Sequence, residues 1–355
     1  MSITTLPLWD LLSCSKTKGQ LARLLAQGLL EEFEGQDLRL IVSYDTSIRI
    51  NAPHRLEEDF LTHDHEEADS QIPLHVLHCI KDCAFRHIVV ASPDTDVLVL
   101  LIDLVAHGRL ETLTSLEFHT GKGNKFRKID VVERVRSIGR QKCQGLVGVH
   151  YFTGADWGGK FVGVTKKRWI TEYFKLDPTD PIIDAFQRLG DDPLSSTELI
   201  DGTLPEEMQP LEHFVCRVYS ANGPQTLPQL RWELFRSKNM ESEMLPPTRA
   251  TLLPHIQRAN FVCMVNKAYV ITHPQLPSLE DSGWVLEDGA IFPLRCLALP
   301  APQAVLELIK CGCKSSACAR NCSCAKNNLP CTPLCKRHDH ECQNVRHDDI
   351  EDEDV

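Results

Sequence analysis

Apolar and polar residues follow one another along the first half of the chain in a pattern that predicts helices alternating with strands. Residues 20–34 carry leucines at helical spacing and end before Gly35, a common residue at helix ends. The short apolar runs predict strands, at residues 38–44, 87–92 and 113–119. Further helical patterns cover residues 66–80, 97–107 and 129–138. This alternation predicts an α/β fold with a mostly parallel sheet flanked by helices.

The pattern changes around residue 190, where a turn-rich acidic stretch begins and predicts a linker. Helical patches separated by Asn-Gly-Pro and Pro-Pro follow it, and then a cysteine-rich segment. The last residues are almost all acidic and predict a disordered tail. The predicted organisation is an α/β domain, a linker, a small α-helical region, a metal module and an acidic tail, at residues 1–190, 191–210, 211–305, 306–345 and 346–355.

Eight of the 15 cysteines lie close together in the cysteine-rich segment. They are Cys311, Cys313, Cys318, Cys322, Cys324, Cys331, Cys335 and Cys342. The segment has too few large apolar residues to fold around a core, so metal ions or disulfides must fold it. The first residues lack the basic and apolar regions of a signal peptide, which favours a reducing, intracellular compartment. Zinc thiolates are therefore the favoured interpretation, and disulfides are the alternative.

The net charge and the hydropathy of the chain restrict the kinds of partner that it can bind. A net charge of −11 argues against a protein that coats nucleic acid indiscriminately, although residues 122–142 form a strongly basic stretch. The longest apolar run, Val97 to Ala106, is too short to span a bilayer. We therefore expect no membrane association.

Acidic residues cluster where an α/β fold would bring them together. Glu66, Glu67 and Asp69 lie at a predicted helix start, Asp94 and Asp96 follow an apolar strand, and Asp156 lies in a predicted turn. Ligands of open α/β sheets bind at the carboxyl ends of the strands, and converging carboxylates there suit Mg²⁺ or Mn²⁺. The alternative is that each cluster simply caps a helix.

The motifs Glu67-Ala68-Asp69, Ser92-Pro93-Asp94-Thr95-Asp96 and Thr153-Gly154-Ala155-Asp156 resemble the acidic motifs of the PIN-like, flap-endonuclease-type nucleases. The resemblance implies a set of metal ligands: Glu67, Asp69, Asp94, Asp96 and Asp156. It also implies that the Gly163 turn and the following Lys166 and Lys167 hold a nucleic-acid backbone. That family begins with a strand ending in an Asp ligand, well before the Glu-x-Asp helix. Here Asp45 ends a predicted strand, but that strand corresponds to the one just before the Glu67 helix, and no strand precedes Asp10. We therefore expect an N-terminally incomplete nuclease domain with weak or no activity.

The cysteine spacing resembles the CXC zinc module of tesmin/TSO1-like proteins. That resemblance implies three zinc ions on nine thiolates. Here Arg337 occupies one ligand position, so His338 or His340 would supply the ninth ligand, or eight cysteines would hold two separate zincs. Asn321 replaces a tyrosine found where the family reads DNA, so a purely structural zinc module stays open.

The combined arrangement resembles uncharacterised animal proteins derived from mobile elements. It implies a nuclear, nucleic-acid-associated protein of the PIN-like nuclease family, with Mg²⁺- or Mn²⁺-dependent phosphodiester hydrolysis that is weak or lost. The alternative is a zinc-binding DNA or chromatin adaptor without enzymatic activity. Cleavage assays distinguish the two.

Overall fold

The structure is a computed structural model. It describes residues 12–44, 47–51, 65, 68–81, 83–108, 113–154, 159–194, 198–238, 242–296, 311–313, 322–326, 329–331, 335–336 and 344. The chain divides into two compact units, residues 1–295 and 296–355, and each is described by itself.

The first unit opens with a helix and a hairpin. Helix α1 (Ser15–Glu32) begins more than one turn before the predicted helix at 20–34 and ends two residues before its predicted end. Strands β1 (Ile41–Tyr44) and β2 (Ser47–Ile50) pair antiparallel, with Ile41 opposite Ile50. Asn51 ties the two parts together, since its side-chain amide donates to the Phe33 carbonyl at 3.1 Å.

A three-stranded sheet carries the acidic motifs, in the order β3 (His87–Ala91), β4 (Ser115–Thr120), β5 (Arg127–Asp130). Strands β3 and β4 are parallel, whereas β4 and β5 are antiparallel. Helix α2 (Ala68–Lys81) precedes β3, and helix α3 (Thr95–Ala106) makes the crossover from β3 to β4. Helix α3 is apolar over most of its surface, which suits the buried position that eight of its residues occupy.

The expectation of a mostly parallel sheet holds for one of the two strand pairings in the described part of this sheet. The chain reverses after β4 at Gly121, whose φ of +81° favours glycine and whose added Cβ would lie 2.2 Å from the Lys125 carbonyl oxygen. The first residues of the helix predicted at 129–138 therefore belong to the end of β5. Asp130 then caps α4 (Val131–Ile138) by accepting from the Glu133 N–H at 2.9 Å.

The rest of the first unit is mainly helical. Its helices are α5 (Arg140–Gln144), α6 (Leu146–Phe152), α7 (Lys166–Phe174), α8 (Pro181–Arg188), α9 (Gln209–Tyr219), α10 (Leu227–Lys238) and α11 (Arg249–Lys267). The predicted helical region also contains a hairpin of β6 (Trp284–Glu287) and β7 (Ala290–Pro293). Asp288 and Gly289 join these strands, both at positive φ, as a two-residue type I′ turn requires.

One apolar core runs through this unit from Val76 in α2 to Trp284 in β6. At its centre Phe152 packs against Trp169 and Phe186, and Phe186 packs against Phe214. The α/β part and the later helices therefore share one core, which fixes α6 and α7 beside the carboxyl end of β3.

In the second unit the structure describes α12 (Ser323–Lys326) and short stretches around the cysteines. Its buried residues form a separate cluster made of cysteines: Cys311, Cys322, Cys324, Cys331 and Cys335.

Candidate metal centres

The turn after β3 positions two of the predicted carboxylates. Ser92 and Pro93 lead out of the strand, and the Ser92 hydroxyl accepts from the Asp94 N–H at 3.1 Å. Asp94 is the N-cap of α3, and its carboxylate accepts from the Asp96 N–H at 2.9 Å. Both negative charges therefore lie in the first turn of a helix, where the helix dipole stabilises them.

Asp69 joins this pair from the first turn of α2, which packs against α3. One carboxylate oxygen each from Asp69, Asp94 and Asp96 lies within 4.8 Å of the other two. Octahedral Mg²⁺ places its oxygen ligands about 2.9 to 4.2 Å apart, so a single ion fits with small side-chain adjustments. The other two predicted ligands, Glu67 and Asp156, lie outside the described residues.

A histidine and a lysine lie on the other side of Asp96. His150 Nε2 is 2.8 Å from Asp96 Oδ1, and Lys166 Nζ is 3.2 Å from the same ring nitrogen. One nitrogen cannot both donate to Asp96 and accept from Lys166. Because the contact with Asp96 is the shorter one and its acceptor is charged, we place the proton on His150 Nε2, which donates to Asp96. Lys166 donates to the Gly154 carbonyl at 3.0 Å.

These neighbours keep Asp96 ionised. The hydrogen bond from His150 lowers the pKa of Asp96, and the electrostatic effects of the His150 ring and of Lys166 act in the same direction. Partial burial raises the pKa of Asp96, but this effect is smaller than the combined effect of His150 and Lys166. Asp96 therefore presents a charged oxygen ligand throughout the neutral pH range.

These groups line a cavity of about 430 Å³. Its wall consists of Asp94, Asp96, His150, Thr153, Gly154, Lys160, Phe161, Val164, Thr165 and Lys166. A larger neighbouring cavity, of about 650 Å³, shares Lys160 and Phe161 with it. Asp94 and Asp96 thus line the same cavity as two lysines, and this cavity adjoins a second, larger one.

The predicted backbone-binding residues are divided between different surroundings. Lys166 reaches the acidic cavity, whereas Lys167 lines an adjacent hollow beside α3. Gly163 has a φ of +72° in the preceding turn and does not line the acidic cavity. Thr165 begins α7 by accepting from the Arg168 N–H, which aims Lys166 back toward Gly154.

Sequence reasoning missed His150 and Lys160. The signal for His150 was a single polar ring within the otherwise apolar run of α6, every residue of which is buried. Lys160 carried no local signal, because its place in the cavity wall depends on packing between residues that are distant in the sequence.

Four cysteines form the second candidate centre. The sulfurs of Cys311, Cys322, Cys324 and Cys331 all lie within 4.8 Å of one another, and all four side chains are buried. The Cys311–Cys331 and Cys322–Cys331 sulfur pairs are 3.9 and 3.8 Å apart. A zinc ion with four Zn–S bonds of about 2.3 Å has tetrahedral edges of about 3.8 Å. The arrangement is compatible with zinc, as the sequence predicted.

A fifth cysteine extends this group. Cys335 Sγ lies 3.8 Å from Cys324 Sγ and accepts from the Cys311 N–H at 3.2 Å. Cys313 is half-buried against the same cluster. The other predicted ligands and their candidate substitutes lie outside the described residues: Cys318, Cys342, His338 and His340.

The cluster shifts the pKa values of two of its thiols in opposite directions. Burial opposes ionisation of Cys322, but N–H groups of Ala325 and Cys324 and the neighbouring thiols hold its pKa well below the ordinary value. Burial and the adjacent sulfurs raise the pKa of Cys324. A zinc ion bound among these sulfurs would relieve the repulsion between neighbouring thiolates, since zinc binds cysteines in the thiolate form.

No helix among the described residues is long and apolar enough to cross a membrane. Comparison with protein-family models, with curated proteins and with solved structures gave no match.

Proposed function

We propose that the chain is a nucleic-acid-associated protein of the PIN-like nuclease type, with weak divalent-metal-dependent phosphodiester hydrolysis. The observation that carries the proposal is the convergence of Asp69, Asp94 and Asp96, from two separate helices, where Asp94 and Asp96 line a cavity together with Lys160 and Lys166. A carboxylate trio for a cation beside ammonium groups for phosphate is a combination that suits metal-dependent phosphodiester hydrolysis.

Each residue has a distinct part in this proposal. Asp69, Asp94 and Asp96 would hold Mg²⁺ or Mn²⁺, with Glu67 and Asp156 completing the set. The cation would supply Lewis acidity at the phosphodiester. His150 holds the Asp96 carboxylate in one orientation through its 2.8 Å hydrogen bond. Lys160 and Lys166 would contact the phosphates, with Gly163 and Lys167 meeting the strand farther along.

The expected rate is low because the ligand set is short. Three carboxylates suffice for one ion, whereas the two-metal arrangement clamps both the attacking and the leaving oxygen. A single weakly held cation would leave the leaving oxygen without its own stabilisation.

The thiol cluster would hold more than one zinc ion. Cys324 belongs to the four-sulfur group and also lies at a tetrahedral edge length from Cys335. A thiolate shared between two ions accounts for both distances, as in a bridged CXC-like cluster of two or three zincs. The module would place the nuclease-like unit on DNA in the nucleus, which localisation of a tagged full chain would check.

Cleavage of single-stranded and flapped DNA in Mn²⁺ tests the nuclease activity. Slow cleavage that EDTA stops and Asp94→Asn abolishes would support it, because asparagine keeps the helix cap and removes the charge. Asp192→Asn is the matched control, since Asp192 is exposed and does not line the acidic cavity. Cleavage that survives Asp94→Asn, or an absence of cleavage with every substrate, would reject the nuclease.

The second candidate is a zinc-stabilised DNA or chromatin adaptor without catalysis. The buried four-cysteine group favours it, because a preformed tetrahedral site supports folding whether or not the acidic cavity is active. DNA binding that persists in Asp94→Asn and disappears after zinc removal, with no cleavage by either protein, would establish the adaptor.

A further inference from the structure

Helix α1 carries an unusual row of exposed leucines. The exposed fractions are 39% for Leu21, 67% for Leu24, 58% for Leu25 and 43% for Leu29. Leu21, Leu25 and Leu29 follow one another at intervals of four residues and so form one stripe along the helix. Helix α1 packs against β1 and buries Ala26, about 100° around the helix from Leu25, while the leucine stripe stays exposed.

A charged residue lies at each end of this stripe of leucines. Lys18 lies three residues before Leu21, and Glu32 lies three residues after Leu29, both on the same helix face. Leu25 is the midpoint, seven residues from each charge. A twofold axis through Leu25 would therefore pair Lys18 of one helix with Glu32 of another, and Leu21 with Leu29.

The charges of α1 run against its own dipole. Lys16 and Lys18 lie in the first turn, which has no acidic residue, and Glu31 and Glu32 lie in the last turn, which has no basic residue. Helix dipoles favour the reverse arrangement. An antiparallel second helix would set acidic ends beside basic ends and opposed dipoles beside each other.

Gly28 supplies a further indication. It lies in the middle of α1, where glycine costs about 1 kcal/mol relative to alanine. A Cβ built on Gly28 would meet nothing within 4 Å, so the fold of this unit does not require the glycine. Its place beside Leu25 and Leu29 leaves a shallow notch into which a leucine of a facing helix could enter.

We propose that α1 is a homodimerisation helix that pairs antiparallel with α1 of a second copy of this chain, with the twofold axis at Leu25. The self-complementary order of Lys18, the leucines and Glu32 is what an isologous interface needs, because each side of such an interface presents the same residues. The helix is about 27 Å long, which gives room for three leucine layers between the two charge pairs.

Sedimentation equilibrium of the full chain over a dilution series tests the proposal. We expect a reversible dimer. Leu25→Glu should weaken it about 100-fold or more, since two glutamates would meet at the axis in place of two buried leucines. Gln20→Glu adds the same charge to an exposed position off the stripe and should leave the dimer intact. Circular dichroism would confirm that both variants fold.

Charge reversal gives the decisive arm. Lys18→Glu and Glu32→Lys should each weaken the dimer about tenfold, because each dimer contains two such pairs. The double variant should return to wild-type affinity. A monomeric wild-type chain would overturn the proposal and indicate that another segment covers the stripe. A dimer indifferent to Leu25→Glu, or single reversals that the double variant does not rescue, would equally overturn it.

Discussion

His255 links acid stability to the loop that carries the acidic cavity. Its ring is buried between the rings of Phe152 and Phe161, with centroids 5.2 and 4.7 Å away. Nε2 lies 2.7 Å from the Phe152 carbonyl oxygen, so the neutral ring donates its proton there. A Cβ added at Gly159 would lie 3.3 Å from Nδ1, which shows how closely the loop before α7 covers the ring.

Burial lowers the pKa of His255 from 6.5 to about 4, because a charged ring loses its hydration there. The hydrogen bond to Phe152 opposes this effect, and the Arg258 charge reinforces it. Each tenfold change in proton affinity is worth about 1.4 kcal/mol, so the difference between the two pKa values amounts to about 3 kcal/mol. The unfolded chain binds the proton first as pH falls. Stability from the neutral ring is therefore complete above pH 6.5 and disappears progressively toward pH 4.

His255→Gln isolates this contribution, since glutamine can donate a hydrogen bond toward Phe152 but does not titrate. Urea unfolding of both proteins would be followed by tryptophan fluorescence between neutral pH and pH 4, Trp169 lying in the same core. Wild type should lose about 3 kcal/mol more than the variant across this range. A metal released by acid from the cysteine cluster would be released from both proteins, so that its effect would cancel in the comparison.

A constant difference between the two proteins at every pH would refute the reasoning. It would mean that the ring takes up its proton equally in the folded and unfolded states. A difference that grew above pH 6.5 would contradict the sign of the effect.

Three further predictions concern single positions. Cys324→Ser should lower the zinc content, measured by elemental analysis, by more than one equivalent. Cys14→Ser, at an exposed cysteine, should leave the zinc content unchanged. Equal zinc contents in the two variants would contradict the shared thiolate. Gly148→Ala should lower the free energy of unfolding by about 3 kcal/mol, because the new Cβ would lie 2.2 Å from a carbonyl oxygen of α8; a wild-type urea midpoint would contradict this. Arg249→Met should cost about 3 to 5 kcal/mol, since it leaves the buried Glu212 carboxylate without its cationic partner at 2.8 Å, although the Leu227 N–H still donates to it; a loss below about 1 kcal/mol would show that the pair behaves as a surface pair.

The first half of the fold was predictable because its signals are local. The apolar run of β3, the periodicity of α1 and the capping residue Asp94 each act within a few neighbours. The β6–β7 hairpin carried an equally local signal, Asp288-Gly289 between apolar residues, and was missed by reading the whole region as helical. The antiparallel β5 depends on the tight turn at Gly121, which spacing alone does not reveal.

The candidate site was predictable in part for the same reason. Aspartates after a strand and at a helix start are visible in the sequence, and the described ones do converge. The contact between His150 and Asp96 joins residues 54 positions apart, and Lys166 reaches it from another helix. Such contacts are products of core packing between α3, α6 and α7, which no local pattern encodes.

If the proposed hydrolysis is correct, Asp94 serves two selective pressures at once. As the N-cap of α3 it accepts the Asp96 N–H, and this stabilises the helix with or without a cation. A descendant that had lost hydrolysis would still be selected to keep aspartate or asparagine at this position. The change from Asp94 to asparagine would then mark the loss of chemistry in a lineage, while the capped helix and the fold around it persist.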